Sequence, residues 1–443
     1  MTRFLHVNIS LLTPGHFRGA WRLPDNDPRA FIDAGNFRRL TRLAESAGLH
    51  AVFVGDSPAL APDIANAPGL GHDPVVMLAD AAAGTSHIGV IATASTTFEH
   101  PYSLARKFLS LDHLTGGRAG WNVVTTQATA AAANFGLPEL PDKEVRYRRA
   151  EEFVSVVTGL WDGWEPEALL GDKAGQFADT ARIRKVAHEG EFFSVAGPLP
   201  LPRSPQGRPL IVQAGGSPGG QRLAGRNADL VFTSAQTPEL AQAQRDTIRS
   251  HASDFGRDPA SVHISTGLVV VIDGTEEQAR RRETELRNTI PSRPALDQLA
   301  GQLGLAPGSL EADTVLTPDS LSGTTGRSAG FGAGVLALLR QRPHTALELV
   351  HRFAGGAGHR LVVGTPEQVA DGIADWFTAG VTDGFTIMPG DTNHDFAAFV
   401  EQVIPILVRR GVFRGEYIHD TLRGNLGLAL EPARGRDLLV ESA

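Results

Sequence analysis

Eight short apolar runs, each followed by a stretch with helical periodicity, constrain this chain more than any other feature. They occupy residues 4–11, 51–56, 88–96, 119–125, 209–215, 229–234, 265–273 and 383–388. Runs of this length without polar alternation suit strands buried on both faces of a parallel sheet. The intervening segments carry apolar stripes at helical spacing. Tyr147, Ala150, Phe153, Val154, Val157 and Leu160 form one over 144–160, and Phe396, Phe399, Val400, Val403, Ile404 and Leu407 form another over 396–407. At 365–377, Thr365 caps a helix with Pro366 at its first position and Gln368 completing a capping box. The pattern predicts an α/β fold, a (β/α)8 TIM barrel. An open doubly wound sheet also alternates, but no strand here runs into the G-x-G-x-x-G turn of a dinucleotide site.

Two stretches interrupt the alternation. Residues 162–208 are rich in glycine, proline and charge, with a hairpin-like "FFSVAGPLP", and residues 290–360 are poor in strand signal. Both read as insertions into a single domain spanning 1–443, on a face where functional loops collect. Gly323, Gly326 and Gly330 would let the second insertion move over a site. A net charge of −8 lacks the basic footprint of a nucleic-acid binder. With no cysteine, disulfides, thiolate metal sites and a cysteine nucleophile are excluded. No stretch approaches the roughly 18 apolar residues of a membrane helix, and "MTRFLHVNISLLTPG" reads as a strand rather than a signal segment. A cytoplasmic protein is expected.

Active sites of barrels lie where the strands end. The second run ends in Asp56 and Ser57, the third in Thr93, Ser95, Thr96 and Thr97, and the fourth in Asn122, Thr125, Thr126 and Gln127. The fifth ends in Gln213 and "AGGSPGG" at 214–220. There, glycines leading to Ser217 and Pro218 at a helix start would present backbone N–H groups to an anion. No His/Asp/Glu grouping has metal-ligand spacing, and His16, His100, His113, His351 and His359 read singly as packing or surface residues. A site of amides and hydroxyls with few acids suits a bound cofactor that carries the reactivity itself.

Several stretches together resemble one family. They are "TPGHFRGAWRLP" (13–24), "FVGDS" (53–57), "IATASTTFEHPYSLARKFLSLDHLTGGRAGWNVVTT" (91–126), "RYRRAEEF" (146–153), "QAGGSPGG" (213–220), "GTPEQVADGIADWF" (364–377) and "RGVFRGEYIHDTLRGNLGL" (410–428). In order and spacing they are similar to the FMNH2-dependent two-component monooxygenases, which include nitrilotriacetate, EDTA and dibenzothiophene-sulfone monooxygenases within the bacterial luciferase superfamily.

The resemblance implies a flavin pocket at the mouth of the barrel. Asp56 matches a carboxylate near the flavin ring, Thr93 the hydroxyl after the third strand, and Asn122 the G-W-N motif beside the ring. Tyr147, Gly216 and Ser217 match the phosphate side, and Lys143 stands where the family often has histidine. His16 is the candidate proton donor or substrate contact. The implied reaction uses FMNH2 from a separate NAD(P)H:flavin reductase and O2, through a C4a-peroxyflavin, to oxygenate a small organic substrate. A homodimer or homotetramer is expected. Alkane hydroxylation is disfavoured, since long-chain alkane monooxygenase, which the chain also resembles, uses a cysteine near its pocket and this chain has none. An F420-dependent dehydrogenase of the same superfamily and a non-catalytic flavin-binding paralogue stay open.

Overall fold

A computed structural model describes residues 3–430 apart from 62, 127, 324–328, 354 and 356–357, so Gln127 and Gly326 lie outside the described residues. Eight parallel strands close on themselves. They are β1 (His6–Ser10), β2 (Ala51–Val54), β3 (Gly89–Ser95), β4 (Ala119–Val124), β5 (Leu210–Ala214), β6 (Leu230–Thr233), β7 (His263–Ile272) and β8 (Gly384–Pro389). Neighbours in the chain pair in turn, β7 bridges β6 and β8, and β8 returns to β1. Each strand falls on one of the eight predicted runs, to within two residues.

Burial on both strand faces explains the unbroken apolar runs. On β3, Val90, Ala92 and Ala94 join the core between sheet and helices, while Ile91 joins an interior cluster with Ala51, Phe53, Leu210, Val212 and Leu230. Fully burying one such aliphatic side chain contributes about 1.5–3 kcal/mol. The two-residue period then places Thr93 on the side of Ile91, and Asn122 opposite the outward-facing Trp121. Trp121 packs between Phe108, Phe153 and Trp161 and donates its indole N–H to the Ala94 carbonyl at 3.1 Å. Gly116 and Gly117, at φ +67° and +90°, turn the preceding helix into β4 through backbone that favours glycine.

A ninth strand, Arg360–Gly364, was not foreseen. β7 shares one edge between two partners: β6 pairs with residues 263–266, and the ninth strand pairs with 268–272. Gly267 falls in the notch between them. Residues 162–208 contain the expected excursion, a two-stranded antiparallel ribbon of His188–Glu189 with Ser194–Val195. The second insertion, poor in strand signal, is largely helical. It carries helices Ser292–Leu303, Ala329–Gln341 and Ala346–Phe353, packed around an apolar cluster of their own that includes Leu296, Leu299, Phe331, Val335, Leu349 and Phe353.

Candidate active site

Three groups of side chains gather at the C-terminal ends of the strands. In the first, the Thr93 hydroxyl donates to the Val54 carbonyl at 2.7 Å and accepts from Asn122 Nδ2 at 2.9 Å. That pair of bonds fixes the orientation of the Asn122 amide. Its Oδ1 is buried and has no partner among the described residues. An unpaired buried amide oxygen costs about 1–3 kcal/mol, so Asn122 is set to accept from a ligand. Asp56 and Thr93 line a cavity of about 270 Å³ with Ser57, His72, Asp73 and Phe98. Burial, reinforced by the Asp73 carboxylate, pushes the Asp56 carboxyl up to about 6.

The second group lies where β5 meets the helix Pro218–Asn227. Ser217 caps that helix, its Oγ accepting from the Gly220 N–H at 3.3 Å, and it also meets Tyr147 Oη at 2.7 Å. Tyr147 reaches across from the helix Lys143–Trp161 and lies so close to Gly219 that an added Cβ there would stand 3.0 Å from the ring. At Gly216 an added Cβ would meet nothing within 4 Å. The result is an open cradle at a helix N-terminus, bordered by two hydroxyls, which suits a phosphate. Lys143 is exposed in the first turn of the helix that carries Tyr147, four residues earlier and so on the same face. Arg146, passed over in the sequence, is half-buried beside Tyr147, and its Nε has no partner among the described residues.

The third group joins His16 to a residue that sequence reasoning missed. His16 follows β1 and is anchored by its backbone N–H to the Pro389 carbonyl at 2.9 Å. It lines a cavity of about 250 Å³ between the barrel mouth and the helical insertion, with Met388 on one side and Leu299, Phe331 and Phe353 on the other. His359 lines the same cavity, stacked on Phe232 at 5.0 Å. Its ring occupies the notch at Gly267, where an added Cβ would lie 2.1 Å from Nδ1. Burial pushes His16 down to about 3 and His359 to about 4, so both rings are neutral at pH 7. His16 Nε2 and His359 Nδ1 have no partner among the described residues. The "RLVVG" run after His359 is the sequence signal that could have placed it, since a short strand there carries it back into the barrel.

This geometry can be set beside known proteins. The family model described as luciferase-like monooxygenase matches residues 8–383. The chain belongs to the luciferase-like monooxygenases. It is 39% identical over 428 residues to N-acetyl-S-(2-succino)cysteine monooxygenase of Bacillus subtilis (strain 168), covering 96% of each chain. It is 38% identical to nitrilotriacetate monooxygenase component A of Aminobacter aminovorans, covering 93% of each. Among solved structures, a riboflavin lyase with modified FMN and its substrate riboflavin superposes with a TM-score of 0.86 at 32% identity, over 97% of each chain. The luciferase-like monooxygenase described here is therefore an enzyme with monooxygenase relatives along nearly its whole length. No helix among its described residues is long and apolar enough to cross a membrane.

Proposed function

We propose that this luciferase-like monooxygenase is the oxygenating component of a two-component system. It binds FMN already reduced by a separate NAD(P)H:flavin reductase and uses O2 to oxygenate a small organic substrate. The observation that carries the reading is the Tyr147–Ser217 hydroxyl pair at the open Gly216 turn, at the end of a strand in a family of monooxygenases. The relative designated component A and the FMN in the lyase structure support the separate reductase and the cofactor.

The residues present suit FMN. Ser217, Tyr147, the backbone at Gly216 and the Lys143 ammonium would hold the phosphate, and Asn122, fixed by Thr93, would accept a hydrogen bond from the ring. Asp56 stands at the edge of that wall. When bound, reduced FMN supplies two electrons to O2, one oxygen atom passing to substrate and the other leaving as water. The chain orients its partners and keeps water out. His16 and His359, both neutral, offer ring nitrogens in a cavity whose far wall is apolar, where they can position a substrate by donating or accepting a hydrogen bond; pKa values this low do not suit His16 to the proton-donor role expected of it.

The test combines the chain with a flavin reductase, NADH and FMN under 18O2. Candidate thioethers, sulfones and aminopolycarboxylates are offered, and product mass is read. One 18O atom per product is expected, with none formed when the reductase is omitted. Rapid NADH oxidation by the isolated chain, or turnover supported only by F420, would overturn the proposal.

A further inference from the structure

The opposite end of the barrel holds a larger cavity, of about 720 Å³. His6 opens β1, His263 opens β7 and Asp383 immediately precedes β8, so the cavity lies at the N-terminal ends of the strands. Buried charge at this end of a barrel ordinarily serves stability. The Arg249–Asp383 pair at 2.9 Å, with Arg3 at 3.8 Å from the same carboxylate, serves that purpose. The rest of the lining is not accounted for in this way.

Arg414 stacks on Phe4, its guanidinium carbon 4.2 Å from the ring centre, and has no carboxylate partner among the described residues. Among the described residues Arg245 meets the carboxylate of its sequence neighbour Asp246 alone, at 3.6 Å, and its buried Nε has no hydrogen-bond partner. Between them the His6 ring stacks on His263 at 4.6 Å and meets the edge of His50 at 5.1 Å. Nδ1 of both His6 and His263 is buried without a partner among the described residues. Glu416 is the second carboxylate of the lining, against four arginines. Arg245 and Arg414 thus border the cavity without a carboxylate from another element among the described residues, and the two histidine rings lie in the same wall with a buried nitrogen each to satisfy.

We propose that this cavity binds a small, multiply charged oxyanion, with Arg245 and Arg414 supplying charge and His6 and His263 supplying N–H donors. A phosphate-bearing and a polycarboxylate metabolite share that chemistry. Binding is linked to protons. Burial, then His263, His50, Arg3 and Arg414, hold His6 well below the usual imidazole range. Burial also lowers His263, against the pull of Asp383. An anion opposes this by favouring the imidazolium, so protons are taken up on binding and affinity rises as the pH falls.

Calorimetric titration of the full chain tests this, with Ser217→Ala separating the cradle at the mouth. Sulfate, doubly charged throughout pH 6–8, reads the pH linkage, while pyrophosphate and citrate distinguish the two classes of ligand. One equivalent that persists in Ser217→Ala is expected, with its sulfate affinity rising about tenfold per pH unit for each proton taken up. Replacing the exposed Arg414 together with Arg245 (R245Q/R414Q) should weaken binding tenfold or more, while Ser217→Ala leaves it unchanged. His6→Asn, with the arginines intact, should abolish much of the pH dependence. Absence of binding at millimolar anion, binding lost through Ser217→Ala, or binding unaltered in the double variant would each overturn the proposal.

Discussion

His359 sits in the space that Gly267 leaves on β7, where a Cβ would stand 2.1 Å from the imidazole Nδ1. The notch exists because β6 pairs with β7 only up to Thr266 and the ninth strand takes over at Leu268. A residue introduced by the long insertion is thereby returned to the barrel mouth beside His16.

Gly267→Ala should therefore displace the ring. Overpacking of this kind costs roughly 1–3 kcal/mol. Turnover should fall at least tenfold while affinity for reduced FMN holds. Adding His359→Ala should restore the unfolding midpoint but not the turnover. Denaturant melts and steady-state kinetics on the two single variants and the double variant check this as a double-mutant cycle.

The eight barrel strands were legible in the sequence because a parallel sheet covered by helices buries both strand faces, and the runs show it. The capping box at Thr365–Gln368 was equally plain, being a local exchange of hydrogen bonds. The ninth strand was missed because "RLVVG" is short and closes a segment otherwise poor in strand signal. At the site, the resemblance singled out Thr93 with Asn122 and Tyr147 with Ser217, two pairs that the fold joins by hydrogen bonds. The meeting of His16 with His359 depends on the register of β7 with two neighbours, which no local pattern encodes. His359 looked like packing for that reason.

Asp56 predicts an acid limb in activity. Its carboxyl is raised by burial to about 6. That contribution to stability is fully present below the ordinary value of 3.8 and is lost as the pH rises through about 6. The ionised form that would meet the flavin prevails only above that range. The pH profile of kcat/KM should rise with a midpoint near 6, and Asp56→Asn should remove the limb. An unchanged limb in that variant would separate Asp56 from the reaction.

Three buried histidines predict sensitivity to acid. Burial lowers His16 to about 3, and His50 and His359 to about 4. Their contribution is fully present above the ordinary value of 6.5 and is lost as the pH falls toward 3–4. The raised carboxyls of Asp56, Asp112 and Asp395 act in the opposite sense over the same range, so the histidine part is read by difference: between pH 6.5 and 4, His50→Asn should lose less unfolding free energy than the unaltered chain. Urea melts across that range check it.

The claim at the centre of the account is that the cradle at Gly216–Ser217 binds the phosphate of reduced FMN. Ser217→Ala removes one charge-assisted hydrogen bond and should cost on the order of 1–2 kcal/mol, about tenfold in affinity. The decisive measurement is an anaerobic titration of the chain with reduced FMN and, separately, with reduced riboflavin. One site per chain, clear preference for reduced FMN, and loss of that preference in Ser217→Ala are predicted. Equal affinity for the two flavins in the unaltered chain would contradict it.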